Sequence, residues 1–157
     1  MLRAGRRAEE PQMAIDRLQS GHCFSEVYTV AIRIVRLGTE RLPDEGIRFG
    51  TVRRPPRGVL KTEYASKNFY DVWLPMLAPS PGLVKQALAS QTERDWNRFV
   101  KKFRLEMAAA NESSILKTLA ALSQQANFSV GCYCADEARC HRSVLRELLL
   151  DLGAPIK

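Results

Sequence analysis

Three of the chain's four cysteines and one of its two histidines fall in a single short stretch, "CYCADEARCHRS", Cys132 to Ser143. Thiols, an imidazole and the flanking Arg139 and Arg142 could support metal ligation, disulfide chemistry, nucleophilic catalysis or anion capture. Cys140 has the best setting for a nucleophile. It opens a strongly helical segment, where unpaired backbone N–H groups and the helix dipole favour a thiolate. The adjacent His141 can act as its base or orienter. The same helix start can bind a phosphate or carboxylate without chemistry, with Arg142 as a two-pronged donor. The bland alternative is a small buried residue, since free cysteine is among the most buried types.

Spacing speaks against a metal. In an extended strand Cys132 and Cys134 lie on one face about 6.6 Å apart. Tetrahedral zinc brings its sulfurs to about 3.8 Å of one another. The stretch also lacks a C-x₂₋₄-C knuckle, so no metal or cofactor is expected. A Cys132–Cys134 disulfide is near the upper limit of reach, whereas Cys134 and Cys140 could be brought together by the loop between them.

The elements around this stretch place it at the end of a strand and the start of a helix. "NFSVGCYC" (127–134) reads as the strand and "HRSVLRELLLDLG" (141–153) as the helix, closed by Gly153 and Pro155. Val144, Leu145, Leu148, Leu149 and Leu152 form its apolar face. Further strands are expected over "VYTVAIRIV" (27–35) and "IRFGTV" (47–52). Helices are expected over 66–77, over 80–88 with Ser80 as N-cap, over 92–107 with Thr92 as N-cap, and over 112–125. Trp96, Phe99, Val100, Phe103 and Met107 make a stripe read as core. The pattern predicts one compact α/β domain over 23–157, a short, mostly parallel sheet flanked by helices, after a disordered or extended tail over 1–22. In such sheets ligands bind beyond the carboxyl ends of the strands, where "ADEARC" lies.

A second basic stretch follows another strand. "RRPPRG" (53–58) carries Arg53, Arg54 and Arg57 on a loop stiffened by two prolines. If its strand runs parallel to 127–134, both loops leave the same sheet edge. Arg53, Arg57 and Arg142 would then surround Cys140. A formal charge of +7 suits an anionic small molecule or nucleic acid as partner. No run approaches the about 18 apolar residues of a membrane span, and no secretory signal is recognised, so a cytoplasmic protein with reduced thiols is expected.

Four segments resemble the domain of unknown function 488 family (DUF488), particularly its YeaO-like branch. "VRRPPRGVLK" (52–61) is similar to a D-R-x-W-P-R-G motif, with Val52 at the aspartate and Pro55 at the tryptophan. "WLPMLAPSPGL" (73–83) is similar to a W-x-x-x-x-A-P-S-x-x-L motif. "WNRFVKKFRLEM" (96–107) resembles the aromatic helix after it, and "CYCADEARCHRSVLRELL" (132–149) the Cys-His-Arg ending. The resemblance implies a compact α/β fold. It directs attention to Arg53, Pro56, Arg57 and Gly58, and to Cys140, His141 and Arg142. It implies no settled activity. Three function classes therefore stand: an anion-binding protein with a reactive cysteine, a non-catalytic nucleic-acid or nucleotide binder, and a zinc- or redox-regulated interaction protein.

Overall fold

The computed structural model describes residues 30–157. The tail expected over 1–22 and the start of the first expected strand lie outside them. Four parallel strands form one sheet: β1 (Ile32–Arg36), β2 (Ile47–Gly50), β3 (Val72–Trp73) and β4 (Phe128–Cys132), in the order β1-β4-β2-β3. Helices α1 (Pro81–Leu88), α2 (Glu93–Met107) and α3 (Ala110–Leu122) connect β3 to β4, and α4 (His141–Asp151) follows β4. The fold is the expected single α/β layer structure.

β4 is central, and all five of its residues are buried. A parallel strand covered on both faces needs such continuous burial. Its register pairs Phe128 with Ile32 on one side and Ile47 on the other. Ile32, Phe128 and Val130 join Phe99, Phe103, Leu145 and Leu149 in the main core. The stripe on α2 is buried as its spacing predicts, with Trp96, Phe99, Phe103 and Met107 inside and Val100 half-buried. Thr92 Oγ1 accepts from the Asp95 amide at 3.1 Å, and Ser80 caps α1 from the Leu83 amide. Gly153, at φ +80°, ends the last helix.

The helix expected over 66–77 does not form. Asn68 turns the chain at φ +61° and Val72–Trp73 instead add a short edge strand beside β2. The Asp71 amide donates to Arg48 O at 2.9 Å and the Leu74 amide to Gly50 O at 2.9 Å. Pro75 would in any case remove one helical donor. Tertiary pairing overrode a local apolar pattern that either element could satisfy.

β2 breaks its own alternation. Ile47 is exposed while Arg48 is fully buried. The guanidinium grips Glu45 through two bonds of 2.6 and 2.7 Å and donates to Thr39 O and Asn68 O. At the far end of the strand, a Cβ on Gly50 would collide with the Tyr70 ring. Gly50→Ala is expected to cost about 1–3 kcal/mol, as overpacked cores do. A urea midpoint unchanged from wild type would mean that the ring moves aside freely.

Candidate functional site at the carboxyl edge of the sheet

The two basic loops converge. A cavity of about 500 Å³ opens at the carboxyl ends of β2 and β4. Its lining includes Arg53, Arg54 and Arg57 from the loop after β2, and Cys132, Cys134, Arg139, Cys140 and His141 from the stretch after β4. Val84, Lys85 and Leu88 of α1 and Phe99 of α2 complete the wall. Parallel β2 and β4 send both loops out of one edge, which is what brings them together.

The 73–80 segment buckles the arginine loop in place. Arg53 donates through Nε to Pro79 O at 3.0 Å and through Nη2 to Ala78 O at 2.5 Å. Trp73 Nε1 donates to Val52 O at 2.7 Å. Val52, the residue at the motif's aspartate, is buried beside the cavity and contributes no charge. Arg57 and Arg54 remain exposed.

The loop before α4 is shaped by its own side chains. Asp136 Oδ1 accepts from the Ala138 amide at 2.9 Å, and Arg146 of α4 holds Glu137 at 2.7 Å. Arg139 pairs with Glu93 and lies 5.7 Å from the Trp96 ring centroid. Cys140 is the N-cap of α4, but its side chain makes no cap bond. Arg142 does not line the cavity. It is 2% exposed and donates through Nη2 to Cys134 O at 2.8 Å, beneath the loop.

The thiols lie closer together than strand spacing predicts, because β4 ends at Cys132. Beyond that residue the chain turns, and the sulfurs of Cys132 and Cys134 lie 3.7 Å apart. Cys140 Sγ is 3.7 Å from His141 Nδ1. Cys132 and Cys140 are buried and Cys134 is exposed. Hydrogen bonding from Cys132, then from Cys140, holds the Cys134 thiol well below its usual range, aided by Arg142. Hydrogen bonding to Cys134, then to Cys140, together with burial, pushes the Cys132 thiol up. For Cys140 the Cys132 bond acts downward, but the Cys134 bond and burial prevail and raise it. Burial depresses His141 to about 4 against the opposing bond to Thr51. Its Nε2 lies 2.7 Å from Thr51 O. A carbonyl only accepts, so Nε2 carries the proton and Nδ1 presents a bare lone pair to the thiols.

A family model described as the active DUF488-N3 subclade, DUF488-N3a, matches residues 32–153. The chain belongs to the DUF488 family. The match runs from the first residue of β1 to the glycine that closes α4, so both cavity-lining loops fall inside the DUF488 domain. No curated protein and no solved structure gives a match. Among the described residues of this DUF488 protein, no helix is long and apolar enough to cross a membrane.

Of the residues singled out in the sequence, Arg53, Arg57, Cys140 and His141 meet at the cavity, and Arg142 lies behind it. The exposed thiol is that of Cys134, which the sequence places in the strand 127–134 with no sign of its exposure. Lys85 and Leu88 were also missed. Leu88 is 82% exposed at the end of an otherwise ordinary amphipathic helix. Only the packing of α1 against the loops gives that end a surface to line.

Proposed function

We propose that the cavity binds a small anionic molecule, bearing a phosphate or carboxylate, and presents it to the thiol and imidazole cluster at one end. The sign of the lining carries this reading. Arg53, Arg54, Arg57, Lys85 and Arg139 line the cavity and, among the described residues, no carboxylate does. Arg139 is neutralised by Glu93, and Arg53 is committed to two carbonyls. That leaves Arg54, Arg57 and Lys85, exposed and without an ion-pair partner among the described residues. Val84, Leu88 and Phe99 offer an apolar wall for the uncharged part of a ligand.

The size of the cavity favours a small molecule over a nucleic-acid duplex. Small-molecule sites run to about 300–1,000 Å³ and combine apolar walls with a few placed polar groups. Cys134 is the thiol that meets the ligand, because it alone of the three is exposed. Cys140 and His141 stand behind it.

Hydrogen bonds to charged groups contribute about 1.5–3 kcal/mol each. Arg57→Ala and Lys85→Ala are therefore each expected to weaken binding of inorganic phosphate, or of a phosphate monoester, by about tenfold or more. Isothermal titration calorimetry reads this directly. Arg98→Ala, on α2 and absent from the cavity lining, is the control and should leave affinity unchanged. Equal phosphate affinity in all three variants and wild type would sink the reading. So would the absence of any anion-dependent heat in the wild type.

A further inference from the structure

We propose that Cys132, Cys134, Cys140 and His141 form a zinc site of three thiolates and one imidazole at the thiol end of the cavity. The inference stands on the cluster itself and does not depend on the anion reading. Among the described residues, Cys132, Cys140 and His141 are the one trio of Cys, His, Asp or Glu donors found converged, with ligand atoms all within 4.8 Å of one another. Cys134 is not one of that trio, but its Sγ lies 3.7 Å from Cys132 Sγ on the exposed cavity side and would close on the ion as the fourth donor.

Two of the six donor separations match the ion as they stand. Zinc–sulfur bonds of about 2.3 Å in a tetrahedron set the sulfurs about 3.8 Å apart, and a zinc–nitrogen bond of about 2.0–2.1 Å sets sulfur and nitrogen about 3.6 Å apart. The observed separations are 3.7 Å between Cys132 and Cys134 sulfurs and 3.7 Å between Cys140 Sγ and His141 Nδ1. Soft thiolates with imidazole select zinc over hard cations.

His141 is already arranged as a metal ligand. Metal-bound histidines characteristically donate their other ring N–H to a carbonyl or carboxylate, which fixes tautomer and orientation. Here Nε2 donates to Thr51 O, and Nδ1 is left facing the sulfurs. Phe103 presses edge-on against the ring at 5.7 Å and holds its plane.

Arg142 provides an independent argument. It is 2% exposed, and among the described residues its Nε has no partner and it makes no ion pair. A buried guanidinium without a counter-charge is costly. Zn²⁺ held by three thiolates and a neutral imidazole makes a cluster of net charge −1. That charge would sit against the Cys134 carbonyl that Arg142 already holds, and would be its counter-ion. The ligands arise from a strand end and a helix start rather than from a knuckle, so linear spacing hides them.

The test is metal content of the full chain purified under reducing conditions without chelator, followed by cobalt substitution. One zinc per chain is expected by mass spectrometry of metals. Cobalt should produce thiolate-to-cobalt charge-transfer absorption and the visible bands of a tetrahedral site. Cys134 is exposed, so Cys134→Ser should fold normally. It is expected to lose about a third of the charge-transfer intensity, one thiolate of three, and to bind metal more weakly. Cys23 lies outside the described residues, and Cys23→Ser should change neither signal. A folded, reduced wild type that holds no zinc and shows no charge transfer with cobalt overturns the site. Cobalt absorption that survives Cys134→Ser at full intensity, or that disappears with Cys23→Ser, overturns the ligand assignment. Arg57→Ala should keep full zinc while losing phosphate affinity, so the two readings fail separately.

Discussion

Arg48→Met is expected to cost about 3–5 kcal/mol of folding stability, the range for breaking one side of a buried ion pair. Arg48 is fully buried and bonds Glu45 at both oxygens. Its Nη1 also donates to Thr39 O at 2.9 Å and Asn68 O at 2.7 Å, tying two surface turns to β2. Ser129 Oγ of β4 donates to Glu45 Oε1 at 2.6 Å, so the carboxylate bridges the two strands that aim the site loops. Removing the guanidinium strands a buried carboxylate and takes the Arg48 donor from Thr39 O, while Asn68 O keeps the Gly38 amide. The double variant Arg48→Met/Glu45→Leu should recover most of the loss, because a buried pair often breaks even against apolar replacements. Urea unfolding of the four proteins in the cycle measures this. If the double variant loses the sum of the two single losses, the pair has no coupling.

The same pair predicts an acid dependence. Burial alone would raise the Glu45 carboxyl, but hydrogen bonds from Arg48 and Ser129 overcome it and hold it below its ordinary 4.5. A carboxylate depressed in the folded state stabilises fully above its unfolded value. That contribution is lost as pH falls through the lower folded value. Stability of wild type should therefore fall below about pH 4.5 more steeply than that of Glu45→Gln.

Phe103→Ala is expected to cost a similar amount, about 3–5 kcal/mol. The ring is fully buried and stacks on Phe99 with centroids 5.8 Å apart and planes at 9°. Phe99 stacks in turn on Trp96 at 4.8 Å. Leu105, on the same helix and 67% exposed, is the comparison, with an expected change within about 0.5 kcal/mol on substitution by alanine. Phe103 also abuts His141, so its loss should reach the cluster. Site-resolved alkylation of Cys140, 2% exposed in the wild type, should accelerate in Phe103→Ala and not in Leu105→Ala. Equal stability losses in the two variants would refute the core assignment of the stripe.

The helices could be read because their signals are local. Trp96, Phe99, Phe103 and Met107 recur at helical spacing, and Thr92 and Ser80 cap their helices within three residues of the amides they serve. The placement of Cys140 at the start of α4 follows from the same kind of signal, as does the strand before it. Segment 66–77 could not be read this way. Its apolar residues suit a helix or an edge strand, and the decision rests with β2, which lies more than twenty residues upstream and offers backbone partners at Arg48 and Gly50. Arg48 lies in the expected strand 47–52, and nothing local to that strand announces its burial. It is buried because Glu45, Thr39 and Asn68 converge on it from three places in the chain, and Ser129 braces Glu45.

By itself, then, the sequence determined the α/β class, the capped helices, the family and the two basic loops from which a site had to be built. It also marked Cys140 and His141 as the start of a helix after a strand. The tertiary structure decided the rest. Parallel pairing of β2 with β4 put the arginine loop and the cysteine stretch on one edge. The end of β4 at Cys132 let Cys134 turn back until two sulfurs that a longer strand would hold apart came within 3.7 Å. Burial exchanged the expected roles, leaving Cys134 open to the cavity and Cys140 enclosed. Chain spacing sets distances only within an element of known length. Where an element stops, and what packs across from it, depends on free energies summed over residues far apart in sequence.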